Sequence, residues 1–127
     1  LSTIHANSSL EVFNRICTYA IQSAERLPAD ATSMLIAGAI DFVIFVERIN
    51  SYDTGGGLQR QITSIREVNG VDERVLSSEV FARGPSGHVQ PAAAIACLDD
   101  LVRAGYSGYS GQSGHSGQSV APAGAYR

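Results

Sequence analysis

The sequence predicts an α/β protein, in which amphipathic helices pack on a sheet and a low-complexity tail follows. Three observations predict it. Apolar residues recur at helical spacing between residues 8 and 39, and an unbroken β-branched and aromatic run, Phe42-Val43-Ile44-Phe45-Val46, comes next. Glycine then falls at every third position from Gly105 to Gly117. The 127 residues suffice for one domain with a modest core, and 44% of them are apolar. Because the first residue is Leu1 rather than Met, the chain is expected to be a piece of something larger.

The short apolar stretch Leu1 to Ile4 reads as a strand leading into a helix. Ser8 followed by Glu11 has the spacing of a capping box, in which hydroxyl and carboxylate satisfy free amides at a helix start. Phe13, Ile16, Cys17, Ala20, Ile21 and Ala24 then form one apolar face. Pro28 begins a second helix reaching Ala39, since Pro fits the first turn, with Asp30 available as its cap.

Ile40 to Ile49 is the clearest strand, apolar on both faces as in a covered sheet. Gly55-Gly56-Gly57 marks a loop. Gln59 to Val68 and Arg74 to Arg83 read as two further strands joined at Asn69-Gly70. The spacing of Ile62, Ile65 and Val68 by three suits a helix better, but β-branched residues and flanking glycines favour a strand. A last helix is expected from Pro91, with Ile95, Leu98, Leu101 and Val102 on one face and Gly105 at its end. Residues 106 to 127 form a flexible tail of Gly-x-Ser triplets, because such a composition buries too little surface to offset its ordering entropy. His115 is a repeat variant within it.

Charge narrows the functional classes. Nine basic and twelve acidic residues are dispersed, for a net charge of -3, and no basic run appears. A nucleic-acid partner is therefore not supported. The longest apolar run is too short to span a bilayer. Cys17 and Cys97 lack the spacing of a zinc or redox motif and read as thiols packed on helical faces, which points to the cytoplasm.

His5, where the opening strand meets the capped helix, is the candidate for chemistry. The residues alone leave open whether it is a structural hydrogen-bonding group or a catalytic one. Asp99 and Asp100 are helical neighbours pointing apart and make no carboxylate dyad. Gly55-Gly56-Gly57 lacks the Lys and Ser/Thr of a phosphate-binding loop. No nucleophile elbow opens a helix after a strand.

Ser2-Thr3-Ile4-His5-Ala6-Asn7-Ser8 resembles the His box of the type II/type IV secretion ATPase family, and of its Tad/Flp-type pilus-assembly members in particular. The likeness continues in order through roughly residue 105. Arg15 stands in the following helix, and the apolar strand ends in Val46-Glu47-Arg48-Ile49. Arg60-Gln61-Ile62-Thr63-Ser64-Ile65-Arg66-Glu67-Val68-Asn69-Gly70 is similar to a common family run, and Gly84 to Pro91 to its closing segment. The resemblance implies the carboxy-terminal part of a RecA-like P-loop ATPase domain, with helices packed on a mixed sheet. It further implies a homohexamer that hydrolyses ATP with Mg²⁺ to power pilus assembly or protein secretion. Such a machine is cytoplasmic, held peripherally at the inner face of the cell membrane by platform proteins.

The same resemblance makes His5 the catalytic candidate, beside the γ-phosphate, with Thr3, Arg48 and Arg60 as nucleotide-binding candidates. For Arg15, Arg48 and Arg60 a solvated arginine or surface ion pair is the commoner role. His88 lies in a Gly/Pro loop and is expected to be exposed. The phosphate loop and the Mg²⁺-binding carboxylate should lie upstream of Leu1, so the isolated chain is expected neither to hold ATP tightly nor to hydrolyse it. The alternatives are a docking or assembly module of a secretion complex that works without nucleotide, and a small hydrolase using His5. Deleting residues 107 to 127 is predicted to leave the thermal midpoint almost unchanged in a melting experiment, whereas a drop of many degrees would show that the tail packs on the domain.

Overall fold

The structure is a computed structural model and describes residues 1–51 and 57–107. The expected Gly55-Gly56 loop and nearly all of the tail, including His115, lie outside the described residues. Two units are distinguished, residues 1–96 and residues from 97 onward.

The first unit is built from α1 (Glu11–Gln22), α2 (Ala29–Ala39), β1 (Phe42–Ser51), β2 (Gly57–Asp72), β3 (Arg74–Arg83) and β4 (Val89–Pro91). The strands form one four-stranded sheet in the order β1-β2-β3-β4, with every neighbour antiparallel. The expected mixed sheet is thereby corrected. Successive strands here are joined by short connections, which can link only antiparallel neighbours, whereas a parallel pair needs a long crossover.

Leu1 to Ile4, expected as a strand, has no regular structure and is exposed. His5 accordingly does not stand at the end of a sheet strand. The capping box forms in part: the Glu11 amide donates to Ser8 Oγ at 3.1 Å, but Glu11 Oε2 accepts from the Asn7 amide at 3.2 Å. Helix α1 buries Val12 and Phe13, with Ile16 and Cys17 half-buried, but Ile21 is 53% exposed and the helix ends before Ala24. Helix α2 receives no cap bond from Asp30. Its first turn is instead closed by Thr32, whose hydroxyl donates to the Pro28 carbonyl at 2.9 Å.

Alternation along β1 points Val43 toward the helices, where it joins Val12, Phe13 and Ile36 in the core beside half-buried Val68 and Val75. Both helices thus lie on one face of the sheet. Ile44 and Val46 point the other way. A bulge between Phe45 and Val46 opposes two residues of β1 to three of β2, so Thr63 is the extra residue. That insertion explains why Ile62 and Ile65, three apart, face the same side opposite Val46 and Ile44. The helix-like spacing belongs to a bulged strand.

Asn69-Gly70 is not the turn. Gly70, at φ 142°, sits at a second bulge within β2, and the chain reverses at Glu73, at φ 52°. Nor does Pro91 begin a helix. It closes the edge strand β4 opposite Phe81, a place where its missing donor costs nothing. The following amides are taken by the sheet: Ala92 N donates to the Val80 carbonyl at 2.9 Å, and Ala96 N donates to buried Glu67 Oε2 at 2.7 Å. These bonds hold residues 92–96 out of a helix and bury Ile95.

In the second unit, α3 (Leu98–Arg103) has no buried residue. Gly105, at φ 99°, ends it, with Tyr106 N donating to the Leu101 carbonyl at 2.9 Å and Gly105 N to Val102 at 3.0 Å. Cys17 and Cys97 are both thiols. No helix among the described residues is long and apolar enough to cross a membrane.

Phe13→Ala should remove about 3–5 kcal/mol of stability, the range for truncating a buried aromatic. Chemical denaturation measures it, and a loss near zero would mean that α1 does not pack on the sheet.

Candidate functional site

The site begins with the residue that follows the capping serine. Ser8 is spent on the helix start, which turns Ser9 inward to 3% exposure against β2. There Ser9 Oγ lies 2.8 Å from Ser64 Oγ, and Ser64 Oγ donates to Glu79 Oε1 at 2.5 Å. Since Ser64 gives its proton to the carboxylate, Ser9 donates to Ser64. Arg66 completes the group: Nε donates to Ser9 Oγ at 3.4 Å, Nη1 reaches Ser77 at 3.5 Å, and Nη2 lies 3.8 Å from Glu79 Oε2. Arg66 and Glu79 are opposite one another in the β2–β3 register.

An open cavity of about 340 Å³ adjoins this cluster, with Asn7, Ser9, Glu47, Ser64, Glu79 and Arg83 among its walls. Thr63, the bulge residue, also lines it and is 6% exposed, and its Oγ1 is buried without a hydrogen-bond partner among the described residues. Hydroxyls, carboxylates and a guanidinium make this a polar recess. Ser64 is hydrogen-bonded to the Glu79 carboxylate, which Arg66 also engages, so this hydroxyl–carboxylate pair is held within the cluster.

The sequence-derived residues are distributed differently. His5 is exposed, two positions before the cavity wall, and among the described residues makes no hydrogen bond. Thr3 is exposed further upstream. Arg48 and Arg60 come together as cross-strand partners. They share the face of Val46 and Ile62, however, which is opposite the helices and the cavity. The four candidates therefore do not converge in this chain.

Arg15 is half-buried, and its Nε donates to Tyr19 Oη at 3.1 Å, with the guanidinium 5.9 Å from that ring. The hydrogen bond to Tyr19 and its charge interaction raise the guanidinium pKa above its usual value. An arginine engaged by its own helix fits the structural role. His88 is exposed as expected.

Ser9, Ser64, Arg66 and Glu79 were not among the expected site residues. For Ser64, Arg66 and Glu79 the signal in the sequence is a polar residue on the inward phase of a strand, which the bulges at Thr63 and in β3 hide, and Ser9 lies in the turn before α1. The chain contains no lysine. Among the described residues no three His, Cys, Asp or Glu side chains are grouped to hold a metal ion. Among the described residues the recess therefore offers a triphosphate no lysine, and its Mg²⁺ no cluster of carboxylates. Compared with models of known families and with curated proteins, the chain finds no match.

Ser9→Ala and Ser64→Ala should each lower stability by about 1–2 kcal/mol, because each leaves a buried polar partner short of a bond. In a double-mutant cycle followed by urea denaturation the pair should show a coupling of about 0.5 kcal/mol or more. Additive losses would mean the two hydroxyls do not share a bond.

Proposed function

We propose that the chain is the carboxy-terminal portion of a RecA-like motor domain, from a hexameric ATPase that drives pilus assembly or protein secretion. The observation that carries this reading is the run Ser2 to Ser8 leading into α1. The Ser8–Glu11 capping box fixes where the helix begins, and Ser9 ties that beginning to the sheet. A histidine three residues before such a start is held close to an ordered frame while remaining free for another group. Two further features support the reading. The later segments that resemble the family occur in family order, and the buried core of the first unit is small for the apolar surface it leaves exposed.

The antiparallel sheet is not the parallel centre typical of a RecA-like fold. On this reading it forms a flank of the parent's sheet. The chain contributes His5 to the nucleotide site and nothing that would cradle phosphate, so the function belongs to the whole subunit and ring. The second reading, a docking module acting without nucleotide, is favoured by one observation: Ile44, Val46, Leu58 and Ile62 form an exposed apolar face.

The coding sequence upstream of Leu1 should contain Gly-x-x-x-x-Gly-Lys-Thr/Ser, and its absence would sink the motor reading. In the parent, His5→Ala should impair ATP turnover or its coupling to transport without altering the circular dichroism spectrum. Wild-type turnover and transport in that variant would remove His5 from the site.

A further inference from the structure

The outer face of the β1–β2 pair carries two features that are unfavourable in isolation. The first is apolar: Ile44, Val46, Leu58 and Ile62 are 46–59% exposed on one side of the sheet. Residues 92–96 bond to the Val80 carbonyl and to Glu67, and these four side chains remain exposed. The second is electrostatic. Arg48 and Arg60 sit directly opposite one another, both exposed, and neither joins an ion pair among the described residues. Like charges facing each other across a strand pair destabilise it. A carboxylate placed between the two guanidinium groups would reverse that term, and arginine is suited to holding one by paired N–H donors.

A complementary surface lies on the same unit. Helix α2 exposes Met34 by 65% and Leu35 by 60%. Asp30, one turn before Met34 on the same side of the helix, is exposed and unpaired among the described residues. Gly38, one turn after Met34, has open space where a Cβ would stand, so the stripe is flat at that end. The helices cover the Val43 face of the sheet, whereas the arginine pair occupies the other. The two patches thus lie on opposite sides of the unit.

We infer that the outer β1–β2 face of one copy receives the exposed stripe of α2 from a second copy, with Arg48 and Arg60 holding Asp30 while Met34 and Leu35 cover Val46 and Ile62. Two different patches on opposite sides make a head-to-tail contact, and repetition of such a contact closes into a ring when the rotation allows it. The inference deepens the motor reading by naming the surfaces between neighbouring copies, and it rests on that reading only for closure into a ring.

Sedimentation of the full chain over a concentration series tests it. The wild-type chain should associate. Arg48→Glu combined with Arg60→Glu should weaken association by roughly tenfold or more, the scale for reversing charges against a desolvated partner. Asp30→Arg should do the same. Mixing the two folded variants should restore assembly, because each then offers the face that the other lacks, and this rescue separates a broken contact from a misfolded chain. Three outcomes would overturn the inference: a monomeric wild-type chain, unchanged assembly in both variants, or no recovery on mixing. Retained self-association with selective loss of binding to phosphatidylserine vesicles would also overturn it, in favour of a lipid surface. A parent that hydrolyses ATP but ignores the charge swap would sink this inference alone. Charge-swap rescue in a chain whose parent has no phosphate loop would sink the motor reading alone.

Discussion

Arg66 is the constraint around which the first unit is arranged. Its side chain is only 13% exposed, and a charge removed from water is tolerated only when paired and hydrogen-bonded. Glu79 supplies the countercharge from the next strand, Ser77 supplies acceptors, and Ser9 reaches down from the start of α1. Satisfying the guanidinium therefore fixes three elements together. The register of β2 and β3 has to place Glu79 opposite, and α1 has to begin where Ser9 can descend. Ser64 must also face inward, which the bulge at Thr63 permits. Removing one member while leaving the others costs more than the net worth of the group, because the survivors stay buried and unpaired.

The capping box then acquires a second purpose. A helix start leaves donors without partners, and Ser8 with Glu11 supplies acceptors for two backbone amides in that region. With Ser8 occupied there, Ser9 is released for the sheet. Adjacent serines of the same chemistry thus divide the work of starting the helix and anchoring it. Asn7 is drawn into the cavity wall by the same bonds, and His5 is left beyond the anchored segment.

The sequence displays periodicity well and pairing poorly, and the outcomes follow that division. Arg74 to Arg83 matches β3 residue for residue, because its pattern is local and its neighbour is close in the chain. Ile62 and Ile65 share one side because a bulge adds a residue between them, a feature that exists only in relation to β1, whereas Val68 turns to the opposite, helix-covered face. Pro91 and the alanines after it have good helix signals, yet the Val80 carbonyl and Glu67 carboxylate claim their amides, a contest that no local window reveals. Asn69-Gly70 has the composition of a hairpin turn, but Gly70 serves a bulge and Glu73 takes the positive φ. Of the site, the bonds at the helix start and the exposure of His88 were legible, whereas the strand expected before His5 is absent. The Ser9–Ser64–Glu79–Arg66 cluster was not, since its members meet only through strand register.

Strand β1 joins these themes. It is one of the sheet's two edges, apolar on both faces, and residues 42–49 contain neither lysine nor proline, two residues that commonly protect an exposed edge. One of its faces is covered by α1 and α2 through Val43. The other presents Ile44 and Val46 beside an arginine pair that repels itself. A strand of that composition gains by being covered, whether by other parts of a larger subunit or by a neighbouring one. His5 has the parallel property in chemical terms. Its exposed imidazole makes no hydrogen bond among the described residues, so any group it acts on has to be brought to it by a second surface. Both features are therefore open to completion from outside the folded unit.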